Sequence, residues 1–198
     1  MRMDVSGFPV CDFCAMITHG PDTELVNLCN WKVCAPDRTG QPAEKQSQGG
    51  THMKTAIVYY SRHHGNTKKL LDAIAAENEV TLIDVTAQPE TDLSGYDRIG
   101  FASGIYYGGF AKQILDYAQE HLPEQKAVFL IYTQGAPKGS FLNSVREMIA
   151  QKNCTEIGAY GCRGYDTFGP FKLLGGIAKG HPTEEEIRGA VKFYQELK

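Results

Sequence analysis

The chain has no long apolar run. No window of its 198 residues approaches the roughly 18 consecutive apolar side chains that a helix needs to cross a bilayer. The opening MRMDVSGFPV lacks the apolar stretch of a secretory leader. Neither sign of charge dominates: 20 Lys and Arg against 23 Asp and Glu leave a net charge of -3. That balance points away from nucleic-acid and membrane partners and leaves the cytoplasm as the expected setting. Cysteine is scarce beyond residue 34, where only Cys154 and Cys162 remain, so a disulfide framework for the whole chain is not expected. Two phosphate-binding signatures are also missing. Without G-x-x-x-x-G-K-[ST] or G-x-G-x-x-G, neither a nucleotide triphosphatase nor a typical dinucleotide site is indicated.

What is present divides unequally. Residues 1–34 hold four of the six cysteines, as Cys11-x2-Cys14 and Cys29-x4-Cys34. Each short pair can chelate from one turn, so the spacing suits a tetrahedral zinc site whose metal would supply the folding free energy of so short a segment. Iron, disulfides and free thiols are the alternatives, and His19 is a substitute ligand. Such a module serves protein recognition, which implies a protein partner. Residues 35–52, APDRTGQPAEKQSQGGTH, have hardly an aliphatic side chain and read as a linker. The Gly-Gly run followed by His52-Met53 resembles a junction ahead of a native start at Met53, which would make residues 1–52 a fused segment; a natural linker also accommodates this pair.

From Met53 to Lys198 the pattern is regular. The runs TAIVYY (55–60), VTLIDV (80–85), RIGFAS (98–103), AVFLIYT (127–133) and EIGAYG (156–161) are nearly continuous in apolar character, as strands buried on both faces of a parallel sheet should be. Between them, Leu70, Leu71, Ile74 and Ala75 share one helical face. So do Ile114, Leu115 and Ala118, and so do Phe141, Leu142, Val145, Met148 and Ile149. The last helix is announced by a capping box, Thr183 with Glu186, and turns Ile187, Ala190, Val191 and Tyr194 inward. The alternation predicts an α/β doubly wound domain with its ligand crevice at the carboxyl ends of the strands.

The loop after the first strand, SRHHGNTKKLL, therefore faces that crevice. Its glycine lets the backbone turn so that amides at the start of the next helix point outward, toward an anion; Ser61, Asn66 and Thr67 can add hydrogen bonds. Asp84, 19 residues beyond Gly65, stands where a dinucleotide fold places its ribose-binding acid, but without the glycine fingerprint it reads as an ordinary strand-end residue. A second loop, SGIYYGGF (103–110), sets Tyr106 and Tyr107 between Gly104, Gly108 and Gly109, which permits close backbone approach beside flat apolar faces. The third, TQGAPKGS (133–140), is glycine-rich and has no aromatic residue.

The run YYSRHHGNTKKL resembles the phosphate loop of flavodoxins, written T-x-T-G-N-T, in a histidine-containing variant. The resemblance extends from Met53 to Lys198 and implies a three-layer sandwich around a five-stranded parallel sheet of order 2-1-3-4-5, with FMN bound non-covalently. It assigns Ser61, His63, Gly65, Asn66 and Thr67 to the phosphate, with His63 or His64 donating a ring N–H where a threonine hydroxyl is usual. Gly104, Ile105, Tyr106, Tyr107 and Gly108 would surround the ring, and Gln134 and Gly135 its pyrimidine edge. Flavodoxins place an aromatic in the third loop. Here the outer stacking face is sought instead among Tyr165, Phe168 and Phe171 of the long segment 163–182, a lid, a dimer surface or an apolar patch packed on the last helix.

The resemblance implies an FMN-dependent electron carrier with a redox partner protein. No convincing general acid, base or nucleophile constellation appears, and electron transfer needs none. The alternatives are an NAD(P)H-dependent quinone or flavin reductase, which would require a nicotinamide pocket over the ring, and a fusion whose N-terminal zinc module is the functional part. A phosphoacceptor receiver would need an aspartate at the end of the third strand, where Ser103 stands.

Overall fold

A computed structural model describes residues 53–135, 140–167 and 175–197. Cys11, Cys14, Cys29 and Cys34, the linker, and Phe168 and Phe171 lie outside them, and so does the zinc site expected of the four cysteines. In chain order the elements are β1 (Thr55–Tyr60), α1 (Asn66–Glu77), β2 (Thr81–Asp84), β3 (Arg98–Tyr106) and β4 (Gly109–Phe110). They are followed by α2 (Lys112–His121), β5 (Ala127–Gln134), α3 (Asn143–Gln151), β6 (Thr155–Arg163) and α4 (Glu184–Glu196).

Five strands run parallel in the order β2-β1-β3-β5-β6, which is the expected 2-1-3-4-5 once the parallel strands are counted by themselves. The sixth, β4, pairs antiparallel with the end of β3. The period-two alternation of β-strands divides the core. Ala56, Val58, Phe101, Val128 and Leu130 face one side, where α2 contributes Ile114 and Ala118 and α3 contributes Val145, Met148 and Ile149. Ile57, Tyr59, Ala102, Phe129 and Ile131 face the other, against Leu70, Leu71 and Ile74 of α1 and Ala190, Val191 and Tyr194 of α4. Helices thus cover both faces, and the central strands are buried along almost their full length.

Several strand ends move by one or two residues, and two boundaries beside the crevice change more. The second crevice loop is a β-hairpin: β3 continues to Tyr106, and Ile105 pairs with Phe110 and Tyr106 with Gly109. The helical face drawn through Phe141 and Leu142 begins too early, because α3 starts at Asn143 with Leu142 as its N-cap. The capping box of α4 is formed as expected, with Glu186 N–H on the Thr183 hydroxyl and Thr183 N–H on the Glu186 carboxylate. Asp84 accepts the amide and hydroxyl of Thr86, a local turn in keeping with a strand-end role.

Candidate functional site

The strand order reverses between β1 and β3, and at their carboxyl ends lies a cleft of about 260 Å³. The residues that follow β1, β3, β5 and β6 all reach it. It gathers Ser61, His63, Asn66 and Thr67 from the first turn and Gly104 to Gly108 from the hairpin. Gln134 and Gly135 come from the third loop.

The first turn could hold an anion. His64 and Gly65 both have left-handed φ, 55° and 63°, and α1 then continues right-handed. The change of hand turns successive amides to one side. No side chain caps α1 and no acidic residue stands in its first turn. The amides of Gly65 and Thr67 have no hydrogen-bond partner among the described residues, while the Lys68 amide is held by the Ser61 hydroxyl at 3.3 Å. Four orphan donors open every α-helix; here two are bonded, Asn66 N–H to the His63 carbonyl at 3.4 Å and Lys68 N–H to Ser61, and Asn66 and Thr67 line the cleft with the positive end of the helix dipole behind them.

The side chains behind this turn are fixed from the far edge of the sheet. Asn66 is 6% exposed, and its Nδ2 donates to the Tyr165 carbonyl at 2.8 Å. A carbonyl only accepts, so this bond sets the orientation of the amide. Its Oδ1 is then buried with no partner among the described residues. Gly164 makes the contact possible, since a Cβ there would stand 2.8 Å from Asn66 Nδ2. Thr67 Oγ1 lies 2.9 Å from Thr133 Oγ1, at the end of β5. The two histidines separate: His63 lines the cleft beside the Tyr106 ring, whereas His64 is stacked on Tyr165 at 4.4 Å and bonded to Thr167 Oγ1 at 3.0 Å.

The hairpin presents its two tyrosines differently. Tyr107 and Gly108 have φ of 52° and 85°, the two positive values of a type I′ turn. Tyr107 at its tip is 91% exposed. Tyr106 is drawn back: its hydroxyl accepts the Arg62 amide at 3.3 Å, and its ring lies against Gly104, Tyr60 and His63. Burial raises its phenol pKa, against a smaller downward pull from the Arg62 and His63 amides.

On the third side, Gln134 Oε1 is buried without a partner among the described residues, and Gly135 lies against the Asp166 carboxylate. Asp166 is pinned by two backbone bonds to Ile177, of 3.0 and 2.8 Å. Phe141, just beyond the aromatic-free third loop, lines the cleft, as does Tyr165. Thr133, Phe141, Gly164 and Asp166 were not among the expected site residues. Thr133 is hidden inside a strand run, Phe141 fits a helical face by spacing, and the other two sit in a long segment with no motif. Among the described residues no group of three or more His, Cys, Asp or Glu could hold a metal ion, and no helix is long and apolar enough to cross a membrane.

The donor set fits FMN. Partnerless helix amides with Ser61 and Thr67 suit a phosphate, the orphaned carbonyl oxygens of Asn66 and Gln134 suit hydroxyl or ring N–H donors, and Tyr106, Tyr107, Phe141 and Tyr165 offer flat apolar surface.

A cleft of this kind at the reversal of a 2-1-3-4-5 sheet defines a flavodoxin-like α/β protein, and the chain belongs to the flavodoxin domain family, which it matches over residues 57–160. It is 35% identical over 147 residues to an uncharacterized protein of Methanocaldococcus jannaschii, covering 73% of this chain and 98% of that one. Among solved structures it resembles rubredoxin oxygen:oxidoreductase from Desulfovibrio gigas, with a TM-score of 0.55 and 13% identity over 72% of this chain and 35% of that one. Flavodoxin 2 from Bacillus cereus gives a TM-score of 0.48 and 19% identity over 71% of this chain and 94% of that one.

Proposed function

We propose that this chain binds FMN and carries electrons to a redox partner protein. The observation that carries the reading is the meeting, in one cleft, of partnerless amides at the start of α1 with aromatic rings from three other segments. Bound FMN supplies the redox chemistry through its ring system. The residues of the chain bind and orient it. Gly65 and Thr67 amides, with the Ser61 and Thr67 hydroxyls, hold the phosphate. Tyr107, Phe141 and Tyr165 cover the ring and exclude water, and Gln134 and the Gly135 backbone face its polar edge. No residue is required to move a proton for this task, in keeping with a cleft whose only described carboxylate is that of Asp166.

The test begins with the absorbance of the purified protein. A flavin spectrum with FMN as the heat-released species in mass spectrometry supports the reading; FAD, or no affinity for added FMN, overturns it. Mixing the flavin-loaded protein with NADPH alone separates carrier from reductase. A carrier's flavin stays oxidised, whereas rapid bleaching followed by turnover with a quinone would make the protein an NAD(P)H-dependent reductase.

A further inference from the structure

We infer that Thr133 is a positioning residue that sets the preference of the cleft for FMN over riboflavin by acting through Thr67; the inference rests on the FMN reading above. Thr67 and Thr133 are 1% and 4% exposed, and their hydroxyl oxygens are 2.9 Å apart. Neither hydroxyl has another hydrogen-bond partner among the described residues.

A hydroxyl carries one hydrogen and two lone pairs. In an isolated pair one hydrogen is spent between the two oxygens and one is left over, and which oxygen keeps it depends on the direction of the shared bond. Thr67 stands beside the amides of α1, and Thr133 stands on β5, held by its pairing to Gly104 and Cys162; both line the cleft. When Thr133 donates, Thr67 Oγ1 is satisfied as an acceptor and its own hydrogen is free for the anion at the helix start. When Thr67 donates, its oxygen turns a lone pair to that anion. A phosphate, which accepts strongly, selects the first arrangement, and hydrogen bonds in such a chain strengthen one another. Without Thr133, Thr67 loses its buried donor.

The test is a cycle of two ligands and three variants in the full chain, read by flavin fluorescence. Wild type must first bind FMN; if it does not, the FMN reading itself fails. Thr133→Val, nearly isosteric, should lower the FMN-to-riboflavin preference about tenfold, with riboflavin affinity unchanged. Thr133→Ser should restore the wild-type preference, and Thr133→Ala should match Thr133→Val, which carries the test if the valine variant does not fold. Equal losses for both ligands, or a preference untouched in the valine and alanine variants, would overturn the inference and leave Thr133 a packing residue. If riboflavin binds too weakly to titrate, inorganic phosphate supplies the readout. It should raise the melting temperature of the flavin-free wild type and serine variant but not of the valine variant; equal protection of all three would overturn the inference.

Discussion

The turn at His64–Gly65 and the turn at Tyr107–Gly108 each place two consecutive residues in the left-handed region, yet they bury opposite parts of themselves. In the first, the glycine opens a helix, the Asn66 and Thr67 side chains that follow are almost fully buried, and two backbone amides are left without a partner among the described residues. In the second, a hairpin closes on itself through backbone pairing and lifts the Tyr107 side chain into the open. One turn offers its backbone and the other offers a side chain. The difference follows from what comes next in the chain: a helix start leaves amides without partners, whereas a hairpin pairs them.

The comparison breaks most severely at Gly65. A Cβ there meets nothing within 4 Å, so the cost of Gly65→Val comes from its φ of 63° rather than from a clash. A branched side chain in that region should cost about 2 kcal/mol of stability. The same strain disturbs the amides, so FMN affinity should fall at least as far, as calorimetry and flavin titration would show. Intact affinity would mean that the amides are not the phosphate site.

Tyr107→Gly should act the other way round. Losing the ring lowers FMN affinity by up to about tenfold, while relief of the left-handed backbone keeps the melting temperature from falling. A drop in stability without a drop in affinity would return Tyr107 to the structural side of the comparison.

The wall that carries Tyr165 is anchored at the start of α4, where Tyr165 N–H donates to the His181 carbonyl and Glu186 joins His181, Thr183 and Arg163. Burial pushes the Glu186 carboxyl up, but the Thr183 amide, the His181 ring and the Arg163 amide together hold it below its ordinary value. A carboxylate depressed in the folded state contributes stability above the ordinary glutamate range and loses it as pH falls through the depressed value. Glu186→Gln should therefore flatten the acid side of the stability curve. An unchanged acid limb in urea titrations would show that the anchor does not depend on this charge.

The smallest expected change is Tyr106→Phe. It removes the acceptor of the Arg62 amide, which sits in an exposed setting where water can replace it, so about 0.5 kcal/mol of stability is at stake. A loss of affinity larger than that of Tyr107→Gly would reverse the roles given to the two tyrosines.

Much of this was legible along the chain. The five parallel strands, the faces of α1, α2 and α4, and the Thr183–Glu186 cap all rest on periodicities and spacings of two to four residues. The turn between β1 and α1 was legible too, because a glycine between a strand run and a helix run is a local signal. Phe141 was misread for an instructive reason. It has the spacing of the α3 core face, but the helix starts two residues later, so the ring is left in the cleft wall. The second loop was misread as irregular because Tyr-Gly is a weaker hairpin signal than Asn-Gly, and only pairing with β3 made it a type I′ turn.

The sequence by itself determined the order of elements, which helix faces are apolar and where a glycine turn opens α1, because each depends on near neighbours in the chain. The tertiary structure alone decided which side chains stand behind that turn. Asn66 meets Tyr165 across 99 residues and Thr67 meets Thr133 across 66, and His64 reaches Thr167 across 103. No periodicity links such positions. They meet because parallel strands place all their carboxyl ends on one side of the sheet, so that successive loops converge there whatever their separation in the chain.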